Sequence, residues 1–190
     1  MNSKKHITGI ILAGGKSSRM GSDKGFVMYK NKAFIQHIIE AIQPLVNEII
    51  IVSNHPDYDI FKLKRVSDLI EDAGPLAGVY TGLHHTTTEN NLVVSCDVPL
   101  INTETLKKLT EQINDENDVI QLESMGKTMP LIAMYKKRSK DICSILLQEG
   151  ERKLRNALKR MSVKTITLNK EHEIYTKNIN TPGNLKEINL

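Results

Sequence analysis

The chain has 190 residues, 39% hydrophobic and 25% charged, which is the balance of an ordinary water-soluble globule with one sizeable core. No apolar run approaches the roughly 18 residues of a membrane span, and the N-terminal MNSKKH lacks the apolar core of a signal peptide, so a cytoplasmic protein without a membrane partner is expected. A net charge of +4 admits acidic ligands, but an aromatic fraction of 4% with no tryptophan gives single strands little to stack on, and nucleic acid is not the expected partner of the basic run Lys136, Lys137, Arg138 and Lys140.

The apolar stretch Ile7, Thr8, Gly9, Ile10, Ile11, Leu12 predicts a buried strand ending at Gly14 and Gly15. It opens into LAGGKSSRMGSDK (12–24), where Gly14, Gly15 and Gly21 permit sharp turns and bring backbone N–H groups close to a ligand. Lys16, Arg19 and Lys24 add cations, and Ser17, Ser18 and Ser22 add hydroxyls, a mixture suited to phosphate oxygens. The stretch is not a P-loop: that motif needs glycine at Ile10 and a helix directly afterwards. The G-x-G-x-x-G dinucleotide pattern is absent as well.

Phe34, Ile35, Ile38, Ile39 and Ile42 have helical spacing and predict an amphipathic helix stopping near Pro44. Ile49, Ile50, Ile51 and Val52 read as a buried parallel strand that ends in the polar turn Ser53, Asn54, His55, Pro56. A weaker segment with Ile60, Phe61 and Leu63 leads to a short strand at 65–67, and GPLAG (74–78) starts the next helix with Pro75 in its first turn. His84 and His85, adjacent on that helix, point in different directions and do not form a metal pair. Leu92, Val93, Val94, Ser95 and Cys96 form another strand, which ends at Asp97. A carboxylate there is either a turn residue or, on the carboxyl edge of an open α/β sheet, a ligand-side group; the phosphate loop favours Asp97 as the holder of a magnesium ion. Cys96 and Cys143 form no C-x-x-C pair, and Cys96 reads as a small buried residue rather than a nucleophile.

Asn102 or Thr103 caps a helix with Leu106, Leu109 and Ile113 on its inner face. A hairpin follows, 119–122 and 129–135, turning at Ser124, Met125, Gly126 and Lys127, and then a helix through Ile142, Ile145 and Leu146. A basic helix is expected over 151–161, with Arg152, Lys153 and Arg155 in its first turns, facing solvent or an anionic second substrate. A strand at 163–168 and a helix start at Thr181 and Pro182 complete the reading.

The pattern LAGG-x-S-x-R-M-G-x-D-K is matched at Leu12, Ala13, Gly14, Gly15, Ser17, Arg19, Met20, Gly21, Asp23 and Lys24. It resembles the signature of the molybdenum cofactor guanylyltransferases, a branch of the nucleotidyltransferase superfamily. Gly14 stands where cytidylyl- and sugar-phosphate nucleotidyltransferases usually carry a second alanine. The likeness continues in D-x-x-x-x-x-GPLAG from Asp68, in Ser53 and Asn54, in Cys96, Asp97, Val98 and Pro99, and in N-x-N-T-P at Asn178, Asn180, Thr181 and Pro182. Gly183 and Asn184 depart from it where an acidic residue is frequent.

This resemblance implies a Rossmann-like three-layer α/β/α nucleotidyltransferase fold, with a mostly parallel central sheet and an antiparallel strand or hairpin. It implies a single nucleotidyltransferase domain over 1–190, GTP-binding in its N-terminal part and molybdopterin-binding in its C-terminal part. The implied reaction transfers GMP from GTP to the phosphate of the molybdenum form of molybdopterin, with Mg2+ as cofactor and pyrophosphate as by-product. Transient contact with molybdoenzymes or cofactor-delivery proteins is also implied. Leu12, Ala13, Gly14, Gly15, Lys24, Asn54, Asp68 and Asp97 are the expected nucleotide-binding residues, with Asp72 the alternative to Asp68. Arg19, Lys24 and Asp97 carry catalysis, and Asp97 holds the metal. Asn178, Asn180 and Arg155 meet the pterin. Two rivals stay open: a nucleotidyltransferase using CTP or a sugar phosphate, and a non-catalytic adaptor that binds nucleotide or cofactor.

Overall fold

The computed structural model describes residues 6–14 and 23–188. In chain order its elements are β1 (Ile7–Leu12), β2 (Met28–Tyr29), β3 (Lys32–Ala33), α1 (Phe34–Ile42), β4 (Glu48–Val52), β5 (Lys64–Val66), α2 (Gly74–His85), β6 (Asn90–Ser95), α3 (Thr103–Thr110), β7 (Val119–Ser124), β8 (Lys127–Lys136), α4 (Ser139–Gln148), α5 (Leu154–Leu158), β9 (Val163–Thr167), α6 (Lys170–Glu173) and α7 (Pro182–Ile188). The central sheet has seven strands in the order β5-β4-β1-β6-β8-β7-β9. Its neighbouring pairs are parallel except where β8 runs antiparallel to β6 and β7. The expected architecture is therefore the observed one.

Alternation along the strands divides the core into two layers. Ile11, Ile51, Leu92 and Val94 face α1 and α3, whereas Ile10, Ile50, Val52 and Val93 face α2, α4 and α5. Strands covered on both faces need continuous apolar runs, and each such side chain contributes about 1.5–3 kcal/mol on burial. Helix α2 lies close on β1 because Gly82 has no side chain: a Cβ there would stand 2.4 Å from Cγ2 of the buried Ile10.

The local signals mostly act as read. Asn102 caps α3 by accepting from the Thr105 N–H at 2.8 Å. Met125 and Gly126 both have positive φ, as a two-residue hairpin turn between β7 and β8 requires. Three details differ. Lys30 and Asn31, also at positive φ, turn a small β2–β3 hairpin that the apolar pattern did not announce. Ile145 on α4 is exposed while Cys143, Leu146 and Leu147 bury. The basic helix is only Leu154–Leu158, because the Glu151 carboxylate accepts from the N–H groups of Arg152 and Lys153 (both 2.8 Å) and from Asn156 (2.6 Å), which holds the preceding residues outside the helix. The Lys153 N–H, the Asn156 amide and the Arg152 N–H together lower the Glu151 carboxyl to about 2. Among the described residues no helix is long and apolar enough to cross a membrane.

Candidate active site

Because β4 and β5 lie on one side of β1 and β6 on the other, the chain reverses direction across the sheet at β1. In an open α/β sheet a crevice forms outside the carboxyl ends of the strands at such a point. A cavity of about 610 Å³ occupies it here, lined by Leu12 at the end of β1 and Gly14 beyond it, Ser53 to His55 after β4, Ser95 to Asp97 at the end of β6, and Gly74, Pro75 and Gly78 of α2. Asp23, Lys24, Val52, Asp68, Asp72, Ala73 and Leu131 complete the wall.

The glycine loop enters this cavity at Gly14. The Ala13 N–H donates to the Val52 carbonyl at 3.0 Å and its side chain is buried, so Ala13 is committed to the sheet and Gly14 is the described glycine of the loop that lines the cavity. Arg19 and Gly15, with Lys16 and the loop serines, lie outside the described residues. The loop's far end is anchored: Asp23 Oδ1 accepts the Gly25 N–H at 3.0 Å and the Tyr58 hydroxyl at 2.5 Å. Burial, then the hydrogen bond to Asp23, raises the Tyr58 phenol far above its ordinary range, and it stays a donor.

Lys24 brings three expected residues together. Its Nζ donates to Asn180 Oδ1 at 2.5 Å and lies 4.0 Å from Asp97 Oδ2. Asp97 is oriented from behind by Ser95, whose hydroxyl donates to Oδ1 at 2.6 Å. The Asp97 carbonyl also accepts the Ile179 N–H at 2.8 Å, which ties the C-terminal N-x-N segment to the β6 edge. Ile179 is fully buried against Val27, Tyr29 and Phe34, while its neighbours are not: Asn178 is exposed and Asn180 partly so. Arg155 is exposed on α5 and is not among the residues lining the cavity.

Asp68 stands apart from this cluster. Asn54 Oδ1 accepts its backbone N–H at 2.8 Å and so shapes the turn that presents the carboxyl group. Asp68 Oδ1 is buried with no hydrogen-bond partner among the described residues, and Oδ2 lies 3.7 Å from where a Cβ on Gly14 would be. Desolvation raises this carboxyl above its usual value. A sheltered acceptor with nothing to accept, on the wall of a cavity, has the chemistry of a ligand-binding group. Cys96 is buried, and burial followed by the Asp97 charge pushes its thiol up, which suits packing and not nucleophilic attack.

The sequence did not single out Tyr58, Ser95, Gly25 or Leu131. Gly25 follows the signature directly, and a Cβ on it would stand 2.1 Å from the Tyr58 oxygen. Leu131 reaches the cavity from a bulge in β8, where the register against β7 shifts at Gln121 and Leu122; buried Tyr135 donates to the Pro130 carbonyl there at 2.8 Å. Pro130, which cannot donate to a ladder, was the one available signal for that irregularity.

The family model of the MobA-like NTP transferase domain matches residues 9–165. A probable molybdenum cofactor guanylyltransferase of Flavobacterium johnsoniae is 38% identical over 97% of both chains. Another of that description, from Geobacillus, is 31% identical over 96% of this chain and 97% of its own. Among solved structures, molybdopterin-guanine dinucleotide biosynthesis protein A from Archaeoglobus fulgidus superposes with a TM-score of 0.80 at 25% identity, covering 95% of each chain.

Proposed function

The chain belongs to the MobA-like NTP transferase family, and from that premise we propose that it is a molybdenum cofactor guanylyltransferase, which transfers GMP from GTP to the terminal phosphate of molybdenum-bearing molybdopterin and releases pyrophosphate. The observation that carries the reading is the meeting, on one cavity, of Gly14, of an Asp68 carboxyl whose buried Oδ1 has no hydrogen-bond partner among the described residues, and of Lys24 and Asp97, with Asn180 bonded to Lys24.

The nucleophile is a phosphate monoester whose second pKa is about 6, so it is largely dianionic at neutral pH and needs no general base. Its oxygen bonds to the α-phosphorus of GTP as the bond from that phosphorus to the bridging oxygen breaks and pyrophosphate leaves. Two anions must approach and a third must depart, so the protein's work is alignment and charge neutralisation. Gly14 and Gly15 give backbone donors to the triphosphate, with Leu12 and Ala13 holding the strand beneath. Lys24 and Arg19 offset phosphate charge. Asp68 accepts from the guanine N–H donors, and Asn54 keeps its backbone in place. Asn180 and Asn178 position the pterin substrate; Arg155, exposed beyond the cavity wall, would reach its outlying part.

The donor set fits magnesium, which needs one or two carboxylate oxygens and completes its shell with phosphate oxygens and water. Asp97 would hold it, Oδ1 being steadied by Ser95. Bound there it would neutralise phosphate oxygens and ease the departure of pyrophosphate. We further propose that 1–190 acts as one domain, with GTP on its N-terminal part and molybdopterin on its C-terminal part, working in the cytoplasm and passing product to molybdoenzymes or delivery proteins.

Incubation with labelled GTP, CTP or UTP, magnesium and molybdopterin tests this. Label from GTP should enter a dinucleotide with one pyrophosphate released per transfer. Label from CTP or UTP instead would overturn the choice of nucleotide, and nucleotide binding without transfer would make the protein an adaptor.

A further inference from the structure

The connection from β4 to β5 reaches the far end of the glycine loop. It carries a short helical turn, Pro56–Phe61, in which Tyr58 is fully buried. The Tyr58 ring packs against Phe26 with centroids 4.6 Å apart, and its hydroxyl donates to Asp23 Oδ1. That oxygen also accepts the Gly25 N–H and caps the turn Lys24–Phe26. Lys24 is therefore flanked by two residues that Tyr58 holds: Asp23 through a hydrogen bond, and Gly25 through contact so close that no side chain fits.

We propose that Tyr58 is a positioning residue for Lys24, fixing the backbone on both sides of it so that the ammonium group is already directed at the phosphate subsite when substrate arrives. The proposal deepens the guanylyltransferase reading and rests on its placement of phosphate beside Lys24. Most buried tyrosine hydroxyls merely find a partner. This one shares its acceptor atom with the cap of the turn that carries the lysine, so losing the O–H leaves the Asp23 carboxylate held by the Gly25 N–H alone and loosens that turn. A lysine on a loosened turn must be ordered again by each incoming phosphate, which costs affinity and turnover.

Tyr58→Phe keeps the ring and its stacking and removes only the hydroxyl. Two quantities are measured, in the otherwise native protein and in Lys24→Ala: affinity for inorganic pyrophosphate with magnesium, by calorimetry, and kcat for GMP transfer. With Lys24 present, both should fall roughly tenfold, the scale of one hydrogen bond to a charged group. In the Lys24→Ala background neither should fall further, although the melting temperature drops equally in both. Equal losses in the two backgrounds, or none with Lys24 present, would overturn the assignment. Asp23→Asn, which keeps the shape and weakens the acceptor, should give the same pattern and serves if Tyr58→Phe does not fold. Pyrophosphate affinities that follow the pattern in a protein transferring no GMP would sink the guanylyltransferase reading and leave the role of Tyr58 standing.

Discussion

Asp68→Asn separates what this carboxyl group costs the empty protein from what it gives the occupied one. With Oδ1 buried and unpartnered, and the proton held more tightly in the folded than in the unfolded state, ionised Asp68 opposes folding. The sign follows from linkage: the folded-state value is raised above the ordinary 3.8, so stability is full below that pH and is lost as pH rises through the raised value. Desolvating a charged carboxylate costs more than desolvating a neutral amide, and the partial exposure of Asp68 puts the expected difference near about 1 kcal/mol. For a chain this size that is about 2–4 °C in melting temperature. Ligand-free Asp68→Asn should therefore melt higher by that amount at pH 7, with the gain vanishing toward pH 3.8. With GTP the sign reverses. A carboxylate offers acceptors to both adjacent donors of guanine, whereas an amide sets one donor against one of them, so affinity should fall roughly 10- to 100-fold. Calorimetric melting with and without GTP across pH reads both effects. A variant that melts lower when empty, or that binds GTP as tightly as the parent, would refute the reasoning.

Lys24→Ala should lower kcat for transfer by about 10²–10³ in a protein that still folds, because its ammonium group meets charge in the cavity; native turnover would remove it from the catalytic residues. Asp97→Ala should abolish the response of activity to magnesium, and an unchanged magnesium titration would mean that the ion is held elsewhere. Gly82→Ala, whose new methyl would meet buried Ile10 at 2.4 Å, should cost about 1–3 kcal/mol in denaturant unfolding with the m-value unchanged, and a midpoint equal to the parent's would show that α2 has room to move.

The fold was legible because its strands are buried on both faces and announce themselves as apolar runs, as at Ile49 to Val52 and Leu92 to Val94. Asp97 could be placed on the carboxyl edge of the sheet for the same reason: it directly follows such a run. Asn180 was found through the N-x-N-T-P resemblance alone, since nothing in its spacing says that it meets Lys24, a partner 156 residues away. Tyr58 stayed hidden because its neighbours carry no periodicity, and its importance comes from one hydroxyl reaching a carboxylate in another segment. The start of α5 was misplaced for a local reason, a glutamate capturing N–H groups that helical propensity would have counted toward the helix. Pattern reveals the scaffold, and side-chain contacts across the sheet edge, which pattern does not encode, assemble the site.

The charges on the cavity wall constrain how a triphosphate can enter it. Among the described lining residues one lysine stands against four aspartates, Asp23, Asp68, Asp72 and Asp97. A polyanion brought to such a wall meets a field of its own sign, and in a partly desolvated crevice that repulsion is stronger than in water. Two sources of positive charge could offset it: Lys16 and Arg19, which follow Gly14 in the sequence and lie outside the described residues, and, on the guanylyltransferase reading, a divalent ion bound with the phosphates. The acidic wall thus has a use. On the guanylyltransferase reading it would disfavour free nucleotide and favour the nucleotide–metal pair, the species whose pyrophosphate is ready to leave. Asp68 is the exception on that reading, since it lies outside the Lys24, Asp97 and Asn180 cluster and its proposed task is to meet donors on a base, where an anion is an advantage and no metal is needed.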